Sequence, residues 1–388
     1  MDRRRPRVAH VLPSLDDGGT QRQLVAILGA MDHDRLDHLV VTLHEPGPLV
    51  HRLPAAVACH PMNLPRPCRT AALHLSTLLR RSSVDLVHAR NTCTWLDATI
   101  ATALRPGRRL VLGFHGFDAG STFSPPQRRR AVLARSVGAR FTSVSDHGAV
   151  LLQQQARVPR PRITVLSNGI DLARFGPADA VQRETIRRSL GLGAEDVVIG
   201  TVGSLLPIKR HDLFLAALAS LAQRHHCVRA VIAGAGPLFG ELDAGIRNLG
   251  LQDRVSLVGA REDVADLLGA MDIYVCASDA EGVSNAMLEA MATGLAVVTT
   301  NAGDHGSIIE NGVSGALVAT NSADAIAEAC GRLIADPALR ANLGRQARDV
   351  AESFNIAASA AAYERFYLAE LGFAELPMPN CQWPIPAT

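Results

Sequence analysis

The 388-residue chain predicts an α/β fold of two doubly wound, parallel-sheet domains, and three observations carry that expectation. Short β-branched runs recur along the chain. Helix-length amphipathic segments separate most of them. The runs are near-continuously apolar rather than alternating, the pattern of parallel strands covered on both faces.

The first-half strand candidates are "VAHVLP" (8–13), "HLVVTL" (38–43), "VDLVHA" (84–89), "RLVLGFHG" (109–116), "RFTSVS" (140–145) and "ITVLSNG" (163–169). The second half offers "VVIGTVG" (197–203), "RAVIAGAG" (229–236), "RVSLVGA" (254–260), "DIYVCAS" (272–278) and "LAVVTT" (295–300). Glycine, proline and aspartate cluster in "NGIDLARFGPADAVQ" (168–182), which divides a domain over 1–176 from one over 177–354. Residues 336–371 read as helical, with Pro337 near the start and a break at Phe354-Asn355. The final helix, within 355–373, carries Tyr363, Phe366 and Tyr367 on one side. The Pro-rich tail over 374–388 reads as extended. No internal repeat is present.

Hydrophobic content of 47% and charged content of 20% are those of a soluble globular protein. Seven cysteines without a C-x-x-C pair suggest reduced thiols in a cytosolic protein, not a disulfide framework. The basic start, "MDRRRPRVAHVLP", has too short an apolar run for a signal peptide. No apolar run approaches the ~18 residues that span a bilayer. The net charge of +2 hides a polarity: residues 1–176 hold 24 arginines against 12 carboxylates, +12, and the remainder carries −10. Two readings stand. One is an arginine-biased composition with solvated faces. The other is a basic surface that meets anionic lipid or a phosphorylated acceptor. The aromatic interleaving of a nucleic-acid surface is absent, so no nucleic-acid partner is expected.

Ligands of open α/β sheets bind at the carboxyl ends of strands, so the informative residues should follow strands. After the first comes "LPSLDDGGTQRQL", where Gly18 and Gly19 precede a helix beginning near Thr20. This is an ordinary turn, or a loop whose N–H groups approach a phosphate or acceptor. "VGSLLPIKRHD" holds Lys209, the only lysine of the chain, beside Arg210. The lysine is either a surface residue at a helix start or a cation for a diphosphate. "GFHGFD" places His115 at a strand end, as a structural histidine or a cleft residue. "AGAGP" (233–237) resembles a dinucleotide loop, but Phe239 occupies the third glycine position, which excludes a standard NAD site. "DHD" (32–34) sits between a helix and a strand at the amino end of the sheet. No histidine or cysteine cluster has zinc spacing, so no metal is expected.

In "SDAEGVSNAMLEAMATGLAVVTT" (278–300), Glu281 lies in a loop just beyond a strand. Glu289 lies inside the following helix, which starts near Ser284 or Asn285. The N–H groups of Val283 to Asn285 are placed to receive an anion between the two carboxylates. A nucleotide sugar has that form, with hydroxyls at both ends and a diphosphate in the middle. The bland alternative is a helix that carries a second glutamate by chance.

The whole arrangement resembles the retaining glycosyltransferases of family 4, which have the GT-B fold. The E-x7-E motif, "EGVSNAMLEAMATGLAVVTT", is its most specific part. "GFHG", "SVSDHG", "VLSNGIDLARF", "VSLVGAREDV", "NAGDHGSIIENGVSGALV" and "AAYERFYLAEL" follow the same order, over residues 7–371. The resemblance implies that the last helix crosses back onto the N-terminal, acceptor-binding domain. It gives Glu289 the ribose hydroxyls and Glu281 the transferred sugar's hydroxyls. Lys209 neutralises the diphosphate, with Arg210, Gly282, Val283, Ser284 and Asn285 around the donor. Gly18 and Gly19 lie near the phosphates or acceptor, and His115 touches the donor sugar. Ser204 stands where the family often has an arginine. Arg210 stands where glycine is usual, Gln21 where glutamate is frequent, and Asp304 and Ser307 where a glycine and a glutamate are common.

The resemblance implies a metal-independent, retaining transfer from a nucleoside diphosphate sugar to a hydroxyl. The acceptor would be lipid-linked or a saccharide, in polysaccharide, lipopolysaccharide or glycolipid synthesis. The enzyme would be cytoplasmic, with contact to the inner face of an anionic membrane. A sugar epimerase of the same fold, or an inactive donor-binding regulatory protein, are the alternatives.

Overall fold

The computed structural model describes residues 4–117 and 122–373. The Pro-rich tail and Cys381 lie outside the described residues. The chain forms two compact units, and the first combines residues that precede and follow the second in sequence.

The first unit holds strands β1 (Arg7–Leu12), β2 (Asp37–Thr42), β3 (Ala58–Pro61), β4 (Leu86–Ala89), β5 (Arg109–Phe114), β6 (Arg140–Ser143) and β7 (Ile163–Val165). Helices α1 (Gly19–Ala30), α2 (Ala71–Arg81), α3 (Trp95–Ala103), α4 (Pro125–Ser136) and α5 (Asp146–Gln154) connect them. The sheet order is β3-β2-β1-β4-β5-β6-β7, and every pairing is parallel. Sequence periodicity misses β3. It is a four-residue edge strand with alternating exposure and a terminal proline, so it lacks the apolar run of a central strand.

The second unit runs through α6 (Ala180–Ser189), β8 (Val197–Val202), α7 (His211–Arg224), β9 (Val228–Ala233), α8 (Phe239–Asn248) and β10 (Val255–Gly259). It continues with α9 (Val264–Ala270), β11 (Ile273–Cys276), α10 (Asn285–Ala292), β12 (Ala296–Thr300), α11 (His305–Ile308) and β13 (Ala316–Val318). Helices α12 (Ala323–Ala335) and α13 (Pro337–Glu352) complete it, and α14 (Ile356–Glu370) follows. The sheet order is β10-β9-β8-β11-β12-β13, again all parallel. β13, three residues long, also escaped the sequence reading. Asp272 fastens α6 to this sheet. Its carboxylate accepts from Arg183 (2.7 Å), from the buried Arg187 (2.6 Å) and from the Val198 N–H (2.8 Å). Residues 170–176 pack with this unit, so the division falls at Gly169/Ile170, ahead of the boundary expected after residue 176. The Ile170 N–H donates to the Phe354 carbonyl, and Ile170 and Phe175 enter its core.

Helix α14 belongs to the first unit. Tyr363, Phe366, Tyr367 and Leu368 pack among Leu12, Leu24, Ile27 and Leu28. The Ser359 hydroxyl donates to the Ser167 carbonyl at 2.7 Å, and Arg140 pairs with Glu370 at 3.0 Å. Beneath the helix, the sheet replaces apolar residues with a polar belt. His10 Nε2 lies 3.1 Å from His38 Nδ1. Tyr367 donates its hydroxyl to His88 Nδ1 at 2.8 Å, and Arg90 approaches the same nitrogen at 3.2 Å. His88 therefore carries its hydrogen on Nε2 and donates to Thr142 Oγ1 at 3.2 Å. The fully buried Arg90 guanidinium lies 4.9 Å over the Tyr363 ring.

Burial and, after it, neighbouring positive groups such as Arg90 hold His10 and His88 well below the ordinary histidine pKa. Burial and then His33 push His38 down to about 4, against the opposing pull of Asp37. These rings are neutral when folded and take up protons near pH 6.5 when unfolded. Their contribution to stability is complete above that pH and is lost as pH falls below it. Each titrating histidine should remove about 1.4 kcal/mol per pH unit. Urea unfolding of the first unit at pH 5.5 should show it about 3–4 kcal/mol less stable than at pH 7.5. A His10→Leu variant should flatten that slope.

Candidate active site

Strand order places the candidate chemistry. In the second unit the chain winds one way from β8 to β10 and the other way from β11 to β13. The crevice between the carboxyl ends of β8 and β11 is therefore a topological switch point. The loop after β8 carries Lys209, and the loop after β11 carries Glu281. Two glycines shape these loops. A Cβ on Gly234, at φ +154°, would fall 1.7 Å from the Gly203 carbonyl oxygen, so only glycine lets the loop after β9 close onto the loop after β8. A Cβ on Gly303, at φ +59°, would fall 2.1 Å from the Glu281 carbonyl oxygen, so the loop after β12 packs against the Glu281 backbone.

Lys209 ends a short 3₁₀ turn, Pro207–Lys209, and its Nζ makes an ion pair with Glu281. The side chains are 23% and 11% exposed, so water screens the pair little. Ser278 donates its hydroxyl to the same carboxylate oxygen at 2.7 Å. The Asp279 N–H donates to the Ile208 carbonyl at 2.9 Å and ties the two loops together. Burial alone would raise the Glu281 pKa. The charges of Lys209 and His305 and the hydrogen bonds from Lys209 and Ser278 outweigh it, so the carboxyl is held below its ordinary range. Burial alone would lower the Lys209 pKa, but Glu281 reverses this and holds the ammonium above its ordinary value. Both groups stay charged around neutral pH.

Ser284 caps α10, and its hydroxyl accepts from the Met287 N–H. Gly282, Val283, Ser284 and Asn285 thus form the run into the helix N-terminus, the positive end of its dipole. Glu289, half-buried, sits in the second turn of that helix. Tyr274 connects the two glutamates electrostatically. Burial first, then Cys276, Glu281 and Glu289, raise its phenol pKa well above the ordinary value, and the hydroxyl donates to the Val202 carbonyl at 3.2 Å.

Arg210 adopts a left-handed backbone, φ +50° and ψ +44°, a conformation that favours glycine. Its guanidinium is taken up by Asp212 (2.9 Å), Asp279 (3.1 Å) and Asn321 (2.7 Å). The structure therefore gives it carboxylates of the loop rim as partners. Ser204 is exposed, and its carbonyl lies 3.4 Å from the buried His211 ring.

In the first unit, the equivalent switch point lies between β1 and β4. Gly18 is the N-cap and Gly19 the first residue of α1, at the carboxyl end of β1. A Cβ on Gly18 would meet Gln21 Oε1 at 2.6 Å, so Gln21 folds back over the turn. His115 directly follows β5. Burial, then Arg90, hold its pKa well below the ordinary value, so it presents a neutral imidazole.

Sequence reasoning did not single out Ser278, Tyr274 or His305. The first two stand within "DIYVCAS", where a hydroxyl two residues past the strand and one phenol in an apolar run are visible but unspecific. His305 is fully buried with its Nδ1 2.8 Å from Thr299 Oγ1, in "AGDHGSI", and no spacing marked it.

Two all-parallel, doubly wound units with a switch point in each are the architecture of the GT-B fold. Residues 182–350 match the family Glycosyl transferases group 1, and residues 17–174 match Glycosyltransferase Family 4. The chain is 31% identical to the lipopolysaccharide core biosynthesis mannosyltransferase LpcC of Rhizobium leguminosarum bv. viciae, over 64% of this chain and 70% of that one. It is 26% identical to the UDP-Gal:alpha-D-GlcNAc-diphosphoundecaprenol alpha-1,3-galactosyltransferase of Escherichia coli, over 90% and 93%. The crystal structure of Anabaena HepE in complex with UDP matches with a TM-score of 0.80 at 23% identity, covering 94% of this chain and all of that one. The chain belongs to glycosyltransferase family 4 and is a glycosyltransferase.

The ion pair gives a double-mutant cycle. Lys209→Met should strand a buried carboxylate and cost about 3 kcal/mol in denaturant unfolding. Adding Glu281→Gln should recover most of that loss, because the uncompensated charge is gone.

Proposed function

We propose that this glycosyltransferase moves a sugar from a nucleoside diphosphate sugar to a hydroxyl of a lipid-linked or saccharide acceptor, with retention of anomeric configuration. The observation that carries the reading is the Lys209–Glu281 pair at the second unit's switch point, beside a helix that starts at Ser284 and holds Glu289. The E. coli relative's name gives its donor as UDP-Gal and its acceptor as a diphosphoundecaprenol-linked sugar, which supports a nucleotide donor and a lipid-linked acceptor here.

Glu289 takes the ribose hydroxyls, since a carboxylate accepts such bonds strongly. The diphosphate lies against the α10 N-terminus at Gly282–Asn285 and draws Lys209 to itself. Glu281, released from the lysine, takes the hydroxyls of the transferred sugar. The neutral imidazole of His115 donates to or accepts from that sugar without adding charge. Gly18 and Gly19 bring backbone N–H groups to the phosphates or the acceptor.

The bond from the anomeric carbon to the diphosphate breaks through an oxocarbenium-like state. The acceptor oxygen bonds to the same face, and its proton passes to the departing diphosphate oxygen. The protein supplies position and charge stabilisation. Lysine and helix N-terminus supply the positive charge, so no divalent metal is required. The acceptor side is the arginine-rich first unit, and the work is done at the inner face of the membrane.

Lys209→Met should lower kcat by about 10²–10³ in transfer assays. Full turnover in that variant would remove the lysine from the chemistry. One family among UDP-, GDP- and ADP-sugars should raise the melting temperature, equivalent to about 2.7 kcal/mol at a hundredfold excess over Kd. The shift should survive EDTA and vanish in Glu289→Ala. Loss of the shift in EDTA would overturn the metal-independent reading.

A further inference from the structure

The loop after β12 brings a buried histidine to the crevice, and the proposed chemistry leaves it without a role. His305 is fully buried and begins α11. Its Nδ1 lies 3.1 Å from the Thr300 carbonyl oxygen and 2.8 Å from Thr299 Oγ1. A carbonyl oxygen only accepts, so Nδ1 carries the ring hydrogen and Nε2 presents a lone pair. Among the described residues, Nε2 is buried with no hydrogen-bond partner. Such an atom calls for an explanation, and this one stands two residues past Gly303, which packs on the Glu281 backbone.

Side chains tie the ring to Glu281 as well. Thr300, whose carbonyl holds the ring, donates its hydroxyl to the Ser278 carbonyl at 2.6 Å. The Ser278 hydroxyl in turn donates to the Glu281 carboxylate at 2.7 Å. The charges that act on the ring are those of Glu281 in the loop after β11, Lys209 in the loop after β8, and Asp304 beside it. Burial lowers the His305 pKa, and Lys209 adds to that effect. Glu281, the Thr300 carbonyl and Asp304 pull the other way without overcoming it, so the ring is neutral while the lysine is paired with Glu281.

The balance changes when the lysine changes partner. A nucleoside diphosphate sugar carries a dianion into the crevice, and in the proposed function it draws Lys209 from Glu281. Positive charge turns away from the carboxylate while negative charge enters, and both changes favour a protonated imidazole. We propose that His305 is the reserve counter-cation of Glu281: as the donor diphosphate engages Lys209, Nε2 takes up a proton from solvent, and the imidazolium keeps the Glu281 carboxylate ionised. An ionised carboxylate accepts from sugar hydroxyls through both oxygens, whereas a protonated one gives up part of that capacity. His305 is thus a positioning residue that acts through Glu281. This step rests on the lysine exchange of the proposed function and adds a proton to it. The bound state holds more protons than the free one, so donor affinity rises as pH falls through the raised bound-state value. It levels off below the lowered free-state value.

The test has two arms. In the first, the full chain is titrated calorimetrically with the UDP-, GDP- or ADP-sugar that raises its melting temperature, in buffers of low and high ionisation enthalpy. At about pH 7 the wild type should take up as much as about one proton per donor bound. His305→Asn keeps a donor for the Thr300 carbonyl and has no group to titrate. Its uptake should fall to near zero, and its affinity should lose a rise of up to about tenfold per unit of falling pH. In the second arm, histidine NMR follows the donor-free chain, with His305→Asn assigning the resonance. Lys209→Met should raise the pH at which His305 titrates by about one unit or more, and adding Glu281→Gln should cancel the rise. Uptake that persists in His305→Asn puts the proton elsewhere and overturns the proposal. So does a donor that binds the wild type without uptake. A chain that binds no nucleotide sugar sinks the proposed function, and the second arm then decides alone: a His305 that titrates alike in the wild type and Lys209→Met overturns the reserve role.

Discussion

Every strand pairing in the described residues is parallel, and that constraint organises the molecule. A parallel sheet is buried on both faces, so its strands hold apolar side chains above and below. Only the strand ends remain for chemistry. The crossovers are helical, so the loops at the carboxyl ends lead into helix N-termini, where N–H groups point outward. At β8 and β11 successive crossovers leave in opposite directions and open a crevice. Lys209, Glu281 and the α10 N-terminus meet there because the winding reverses there. Asp272, Gly234 and Gly303 hold the surrounding loops in register.

The electrostatics of that crevice follow from burial. A lysine and a glutamate at this depth would each shift toward neutrality if alone. Together they keep each other charged. Breaking such a pair is costly, which makes it suited to exchange rather than to loss. In the proposed function, the diphosphate offers the lysine another anion, and sugar hydroxyls offer the glutamate other donors. The ion pair thus keeps both groups ionised in the crevice.

The first unit is completed by a helix from the far end of the chain. Tyr363, Phe366 and Tyr367 fill its core, and the histidines below them replace a wholly apolar layer. The hydrogen bond from Tyr367 to His88 has strong directional requirements, so it specifies one register for α14 where apolar packing would accept several. The same belt makes the unit sensitive to acid, because each ring is buried in its neutral form.

The sequence by itself determined the fold class, the positions of most strands, the last helix with its aromatic side and the motif residues, and the family resemblance added the return of that helix. Apolar runs separated by amphipathic segments are local patterns, and Glu281, Lys209 and Glu289 stand at recognisable distances from strand ends. Short edges such as β3 and β13 escaped because few of their residues are buried on both faces. The tertiary structure alone decided which charges meet. Lys209 and Glu281 are 72 residues apart, and nothing local pairs them until β8 and β11 become neighbours. Arg210, adjacent to Lys209, goes instead to Asp212, Asp279 and Asn321. Its left-handed backbone, invisible in the sequence, sets the direction of its side chain. The polar belt joins residues 10, 38, 88 and 367 for the same reason: side-chain partnership depends on strand order and helix return, which no single stretch of sequence contains.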